Sequence, residues 1–141
     1  MTDGNARYVI TGATLPSGER ADLVLQNGRI AEVGLGLSAA GAISVDADGL
    51  VALPGLVDLH THLREPGCEQ SETVLSGSQA AAAGGFTSVF PMANTMPVSD
   101  TAAVVEQVQA LGEAAGYVTV RPIGAVTVGL QGERLSEIGA M

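Results

Sequence analysis

The spacing of apolar positions changes near residue 54 and divides the chain in two. Before it, residues 8–10, 21–26, 29–33, 43–46 and 50–53 are short β-prone runs bounded by turn residues. Asn27-Gly28 separates two of these runs and is the strongest short hairpin signal, because both residue types accept positive φ. Residues 1–53 therefore read as small β structure. After residue 54 the apolar positions take longer periods. A helix is predicted from about Ser71, with Ser71 as N-cap and Glu72 favouring the helix dipole. Val74, Leu75, Ser78 and Ala82 would form its packing stripe, and Gly84-Gly85 its end. Residues 87–92 are apolar on both faces, as in a buried parallel strand. A second helix is predicted over 100–115, a third strand over 117–126 and a third helix over 133–141. Strands alternating with helices point to βαβ units and a parallel sheet. In such sheets the chemistry gathers at the C-terminal ends of the strands.

The stretch between Pro54-Gly55 and Pro66-Gly67 carries the candidate chemistry. Strict alternation puts Val57, Leu59, Thr61 and Leu63 on one strand face. Asp58, His60, His62 and Arg64 fall on the other. Four ionisable side chains in single file on a core strand are costly unless they pair or bind something. Two histidines at i and i+2 on one face can reach a single metal ion, and imidazole is the commonest metal ligand. An isolated His-x-His pair more often means nothing. Here both flanks are Pro-Gly breaks, and these are the 2 histidines of the chain. The stretch reads as half of a metal site. Asp58 lies two residues deeper than His60, about 6.6 Å along the strand, and suits a partner that orients a ligand better than a ligand itself.

Composition narrows the classes. Apolar residues make up 46% and charged residues 15%, with a mean hydropathy of +0.32 and 19 glycines. Such a sequence suits close-packed α/β layers. All 6 basic residues are arginines, and the net charge of −9 argues against nucleic-acid binding, which needs a basic face. The first residues lack the basic start and apolar stretch of a signal peptide. No apolar run approaches the ~18 residues of a membrane span, so a soluble cytoplasmic protein is expected. The 1 cysteine, Cys68, excludes an internal disulfide framework and reads as an ordinary loop thiol.

Residues 54–67, Pro-Gly-Leu-Val-Asp-Leu-His-Thr-His-Leu-Arg-Glu-Pro-Gly, resemble the metal-binding signature of dihydroorotases in the amidohydrolase superfamily. The resemblance continues through Ser71-Glu72-Thr73, residues 82–87, 94–100 and 123–127, and Gly132-Glu133-Arg134-Leu135. It implies an α/β fold, the N-terminal portion of a (β/α)8 TIM-type barrel, with residues 1–53 before it as strands of a small β-sandwich domain. Residues 54–141 would be the barrel's first three βα units. It also implies zinc held by His60 and His62, and reversible cyclisation of N-carbamoyl-L-aspartate to L-dihydroorotate in pyrimidine synthesis. Arg64 and Asn94 match the residues that hold the substrate's carboxylate, and a guanidinium can do so through two parallel hydrogen bonds. One departure is Met92-Ala93-Asn94-Thr95, where many relatives have Met-Pro-Asn-Thr.

A closed barrel takes ~250 residues, and a catalytic zinc takes three protein ligands with one position open. Two histidines fall short of that. The resemblance places the remaining ligands and the general acid/base aspartate beyond residue 141, so no catalytic residue is expected in this chain. It reads as an N-terminal fragment, inactive alone. Allantoinases and hydantoinases share the strand with two histidines, although hydantoinases usually lack the arginine at the position of Arg64. A reading from another class is a non-catalytic scaffold subunit of an aspartate carbamoyltransferase complex, but such proteins tend to lose their metal histidines. A homo-oligomer is also open.

Overall fold

The short β-prone runs form the strands of a first unit: β1 (Arg7–Thr14), β2 (Arg20–Gln26), β3 (Arg29–Gly34) and β4 (Ile43–Asp46). The computed structural model describes residues 6–141, and the chain divides into the units Met1–Pro54 and Gly55–Met141. The first sheet has the order β3-β2-β1-β4. The β1–β2 and β2–β3 pairs are antiparallel, and β1–β4 is parallel. Asn27 (φ 52°) and Gly28 (φ 69°) make the tight turn between β2 and β3, as the sequence predicts. The run 50–53 forms no full strand. Val51 alone bridges to Thr14, because the turn before it lets the chain rejoin the edge of β1 for one residue.

A buried carboxylate fastens this unit. Asp22, on β2 and 8% exposed, accepts hydrogen bonds from the Gly12 N–H (2.8 Å) and the Leu37 N–H (3.0 Å). These donors come from β1 and from the segment after β3, so one side chain ties three parts of the chain together. The Gly12 N–H, and next the Leu37 N–H, hold the Asp22 carboxyl below the usual aspartate range, against burial, which raises it.

The second unit is a parallel sheet, β5 (Leu56–Thr61), β6 (Phe86–Pro91) and β7 (Thr119–Val120), in that order. Helix α1 (Val74–Ala83) joins β5 to β6, and α2 (Ala102–Ala115) joins β6 to β7. Its core gathers one apolar side chain from each part: Leu63 after β5, Val74 on α1, Val89 on β6, Val108 on α2 and Val120 on β7. The architecture is α/β, the N-terminal portion of a (β/α)8-type barrel preceded by the small β unit. The third unit of strand and helix is shorter than the sequence predicts. The strand expected over 117–126 keeps two residues, and 133–141 forms bends and turns rather than a helix. Leu135 and Ile138, which would share one face of such a helix, are 69% and 53% exposed, so nothing there offers an apolar surface to fold against.

Helix α1 also begins two residues later than predicted. Thr73 is the N-cap, and its side chain and that of Ser76 bond each other's main-chain N–H groups, a capping box. The Val74 N–H donates to Glu65 Oε2 at 2.8 Å. With both positions filled, Ser71 and Glu72 stay outside the helix.

The loops leaving β5 and β6 are joined. The Met96 N–H donates to the Pro66 carbonyl at 2.9 Å. Gly67 has φ +105°, and a Cβ built there would lie 2.2 Å from the Met96 carbonyl oxygen. Only glycine accepts both the conformation and the contact.

Two predictions follow from these ties. Gly67→Ala should cost about 1–3 kcal/mol through left-handed strain and displacement of the Met96 segment, read as a lowered midpoint in urea. Asp22's depressed folded-state pKa makes its stabilisation fully present above the ordinary aspartate pKa and lost as pH falls through the folded value. Stability of the wild-type chain should therefore drop in that acid window, and Asp22→Asn, less stable at neutral pH, should lose this drop. Urea midpoints across the acid range measure both.

Candidate functional site

The register of β5 on β6 determines where the candidate residues lie. Leu56 pairs with Phe86 and Val57 with Ser88, then Asp58 pairs with Val89 and Thr61 with Pro91. Between the last two pairs, β5 advances three residues while β6 advances two. The extra residue is a bulge, and it breaks strict alternation. The single file of Asp58, His60, His62 and Arg64 expected from the sequence is therefore not formed. Asp58 instead joins Thr61 and Leu63 around a cavity of about 200 Å³, beside Gly77, Ala80 and Ala81 of α1. Of the four apolar-face residues, Leu63 is buried at 4% exposure, while Val57 (53%) and Leu59 (67%) stand in solvent.

The bulge places a main-chain N–H where the ladder is interrupted, and a side chain serves it. The His60 N–H donates to Asp58 Oδ1 at 3.0 Å. Asp58 thus contacts a candidate ligand through its main chain, not through the imidazole. His60 is the next-to-last residue of β5, and His62 lies just past the strand's C-terminal end. Their ring centroids are 5.3 Å apart with planes at 68°.

Asn94 comes from the loop after β6, and its Oδ1 lies 2.9 Å from His62 Nδ1. The same loop is braced from within. Thr95 Oγ1 donates to the Pro97 carbonyl at 2.7 Å and lies 2.9 Å from Ser99 Oγ, a residue 2% exposed. The Ser99 N–H donates to the Ala93 carbonyl, and the Ala125 N–H to the Ser99 carbonyl. The segment holding Asn94 is therefore fixed on both flanks.

Arg64 is exposed, and its carbonyl accepts the Cys68 N–H at 2.8 Å. Among the described residues its guanidinium makes no ion pair, so it is available to an anion. Cys68 is a half-buried free thiol in that loop. Sequence reasoning missed Glu65, whose carboxylate at the start of α1 fixes the chain beside Arg64. Nothing in the local pattern pairs it with Val74, nine residues on.

The donor set fits half of a metal site. Two imidazoles with rings 5.3 Å apart can both approach one ion, but among the described residues no group of three or more His, Cys, Asp or Glu could hold one. Also among the described residues, no helix is long and apolar enough to cross a membrane.

Comparison with known proteins places this geometry. The chain is 77% identical over 134 residues to the dihydroorotase of Leifsonia xyli subsp. xyli, covering 95% of this chain and 31% of that protein. It spans about a third of the length of such curated relatives. Among solved structures it is similar to the L-hydantoinase (dihydropyrimidinase) from Arthrobacter aurescens, with a TM-score of 0.72 and 22% identity. That match covers 85% of this chain and 28% of the other. A dihydroorotase crystal structure matches with a TM-score of 0.64 and 18% identity over 89% of this chain and 32% of the other. These two likenesses concern the fold. A family model described as dihydro-orotase-like matches residues 49–141, the span that holds both histidines, Arg64 and Asn94, and the chain accordingly belongs to the dihydro-orotase-like family.

Proposed function

We propose that this chain contributes the first half of the active centre of a zinc-dependent dihydroorotase, which interconverts N-carbamoyl-L-aspartate and L-dihydroorotate. The observation that carries the reading is the meeting of His60, His62 and Asn94 at the C-terminal ends of β5 and β6. That is the end of a parallel sheet where barrel enzymes place their chemistry. His60 and His62 would hold the ion. When bound, zinc supplies Lewis acidity and a water whose pKa falls to ~7.

The chain's own groups do the binding and orienting. Arg64 offers a rigid fork of N–H donors to the substrate's carboxylate, which a lysine's single ammonium cannot match. Asn94 keeps its Nδ2 hydrogens for the same carboxylate, because Oδ1 is already directed at His62. Asp58 holds the main chain under His60 in place. Two imidazoles are one short of a catalytic zinc's three protein ligands. The reading therefore assigns the remaining ligands and the general acid/base aspartate to polypeptide beyond residue 141, and no turnover to this chain by itself.

A chimera tests this directly. This chain replaces the aligned segment of the relative with which it shares 77% identity. The chimera should hydrolyse dihydroorotate only when zinc is present. Arg64→Lys in it should raise KM for dihydroorotate by about 10-fold or more with a smaller change in kcat, the loss expected of a charge-assisted bond made in the ground state. Turnover of allantoin or a hydantoin in preference to dihydroorotate would transfer the assignment to those cyclic amides. A folded, zinc-binding chimera inert on all three would favour the scaffold role.

A further inference from the structure

The contact between His62 and Asn94 constrains the imidazole in a way that the two residues' separate assignments do not require. His62 Nδ1 lies 2.9 Å from Asn94 Oδ1, and the two residues are 32 positions apart. An amide oxygen only accepts hydrogen bonds, so the ring nitrogen facing it carries the proton. A neutral imidazole protonated at Nδ1 has its lone pair on Nε2. The bond thus selects one of two tautomers and fixes the ring's rotation as well.

The acceptor is itself held. Asn94 sits between Ala93, 5% exposed, and the Thr95 side chain, which bonds Pro97 and Ser99. The Met96 N–H ties the same loop to Pro66, four residues past His62. The two loops are therefore in register before any ligand arrives, and the Asn94 oxygen meets the ring without a search. A metal-ligating histidine characteristically donates its other ring N–H to an acceptor that fixes its tautomer. A main-chain carbonyl or a carboxylate commonly fills that place, and here an amide does.

We propose that Asn94 is a positioning residue for His62, selecting the Nδ1–H tautomer through Oδ1 so that Nε2 is the ligating nitrogen. This rests on the reading of His62 as a metal ligand and adds a second task to a residue matched only to substrate binding. The amide is suited to both tasks because its two ends differ. The oxygen serves the imidazole, and the nitrogen's hydrogens remain for a carboxylate. Alanine would remove both functions, whereas aspartate keeps the acceptor and loses the donors.

The test is long-range 1H–15N NMR of the imidazole rings in the 141-residue chain at pH 8. It is joined by zinc titration of the same samples, with zinc alone as the probe. Wild type and Asn94→Asp should show His62 protonated at Nδ1, and zinc affinity should be no weaker in Asn94→Asp than in wild type. Asn94→Ala should relax toward the Nε2–H tautomer and bind zinc on the order of 10-fold more weakly. A wild-type His62 protonated at Nε2 overturns the proposal without recourse to any variant. So does an Asn94→Ala chain with wild-type tautomer and zinc affinity. Neither readout involves substrate. A chimera inert toward dihydroorotate would remove the proposed reaction and leave the tautomer result standing.

Discussion

The parallel register of β5 on β6 is the constraint on which the rest of the second unit depends. It includes one extra residue in β5 between Asp58 and Thr61, and that residue turns the end of the strand. Without it, strict alternation would keep Leu63 on the opposite face from the one it fills. With it, Leu63 enters the core beside Val74 and Val89. Burying such a side chain contributes about 1.5–3 kcal/mol, and one interrupted ladder bond costs about 1 kcal/mol. Burial wins, and the more clearly because Asp58 accepts the His60 N–H at the interruption. The carboxylate read from the sequence as orienting a ligand thus bonds the main chain at the bulge.

Three links follow from that register. His62 emerges at the C-terminal end of β5 within reach of Asn94. Pro66 and Gly67 meet the Met96 segment closely enough to exclude a side chain. Glu65 reaches the first turn of α1. Loop residues that would otherwise be mobile are bonded to a neighbouring loop on one side and to a helix terminus on the other. Pre-positioning of this kind lowers the entropic cost of assembling a ligand site. The first unit is fastened differently, by the buried Asp22 carboxylate and the N–H groups it gathers.

Much of this was legible in the sequence where the cause is local. Asn27-Gly28 gave its hairpin because two adjacent residues determine that turn. The helix over Ala102–Ala115 stops at Gly116 in the left-handed conformation, as a C-terminal glycine predicts. Strand β5, with His60 in it and His62 just past its end, was recognisable from the flanking Pro-Gly breaks. What escaped depends on distant partners. The bulge follows from the pairing with β6 about thirty residues on, and it moved Asp58 off the histidine file. The Thr73 cap displaced Ser71 because Glu65 reaches Val74. The third helix failed because periodicity alone does not supply a surface to pack on, and Leu135 and Ile138 remain in solvent. The approach of Asn94 to His62 spans 32 positions and has no local signal at all.

The proposed site has His60 and His62 on one metal ion, with no third protein ligand among the described residues. X-ray absorption at the zinc edge, on the chain loaded with one equivalent of zinc, measures this. The account predicts a first shell of two imidazole nitrogens at about 2.0–2.1 Å, completed by solvent oxygens. A sulfur scatterer at about 2.3 Å would bring in Cys68, which the account leaves as a loop thiol, and would contradict it. So would a first shell without imidazole.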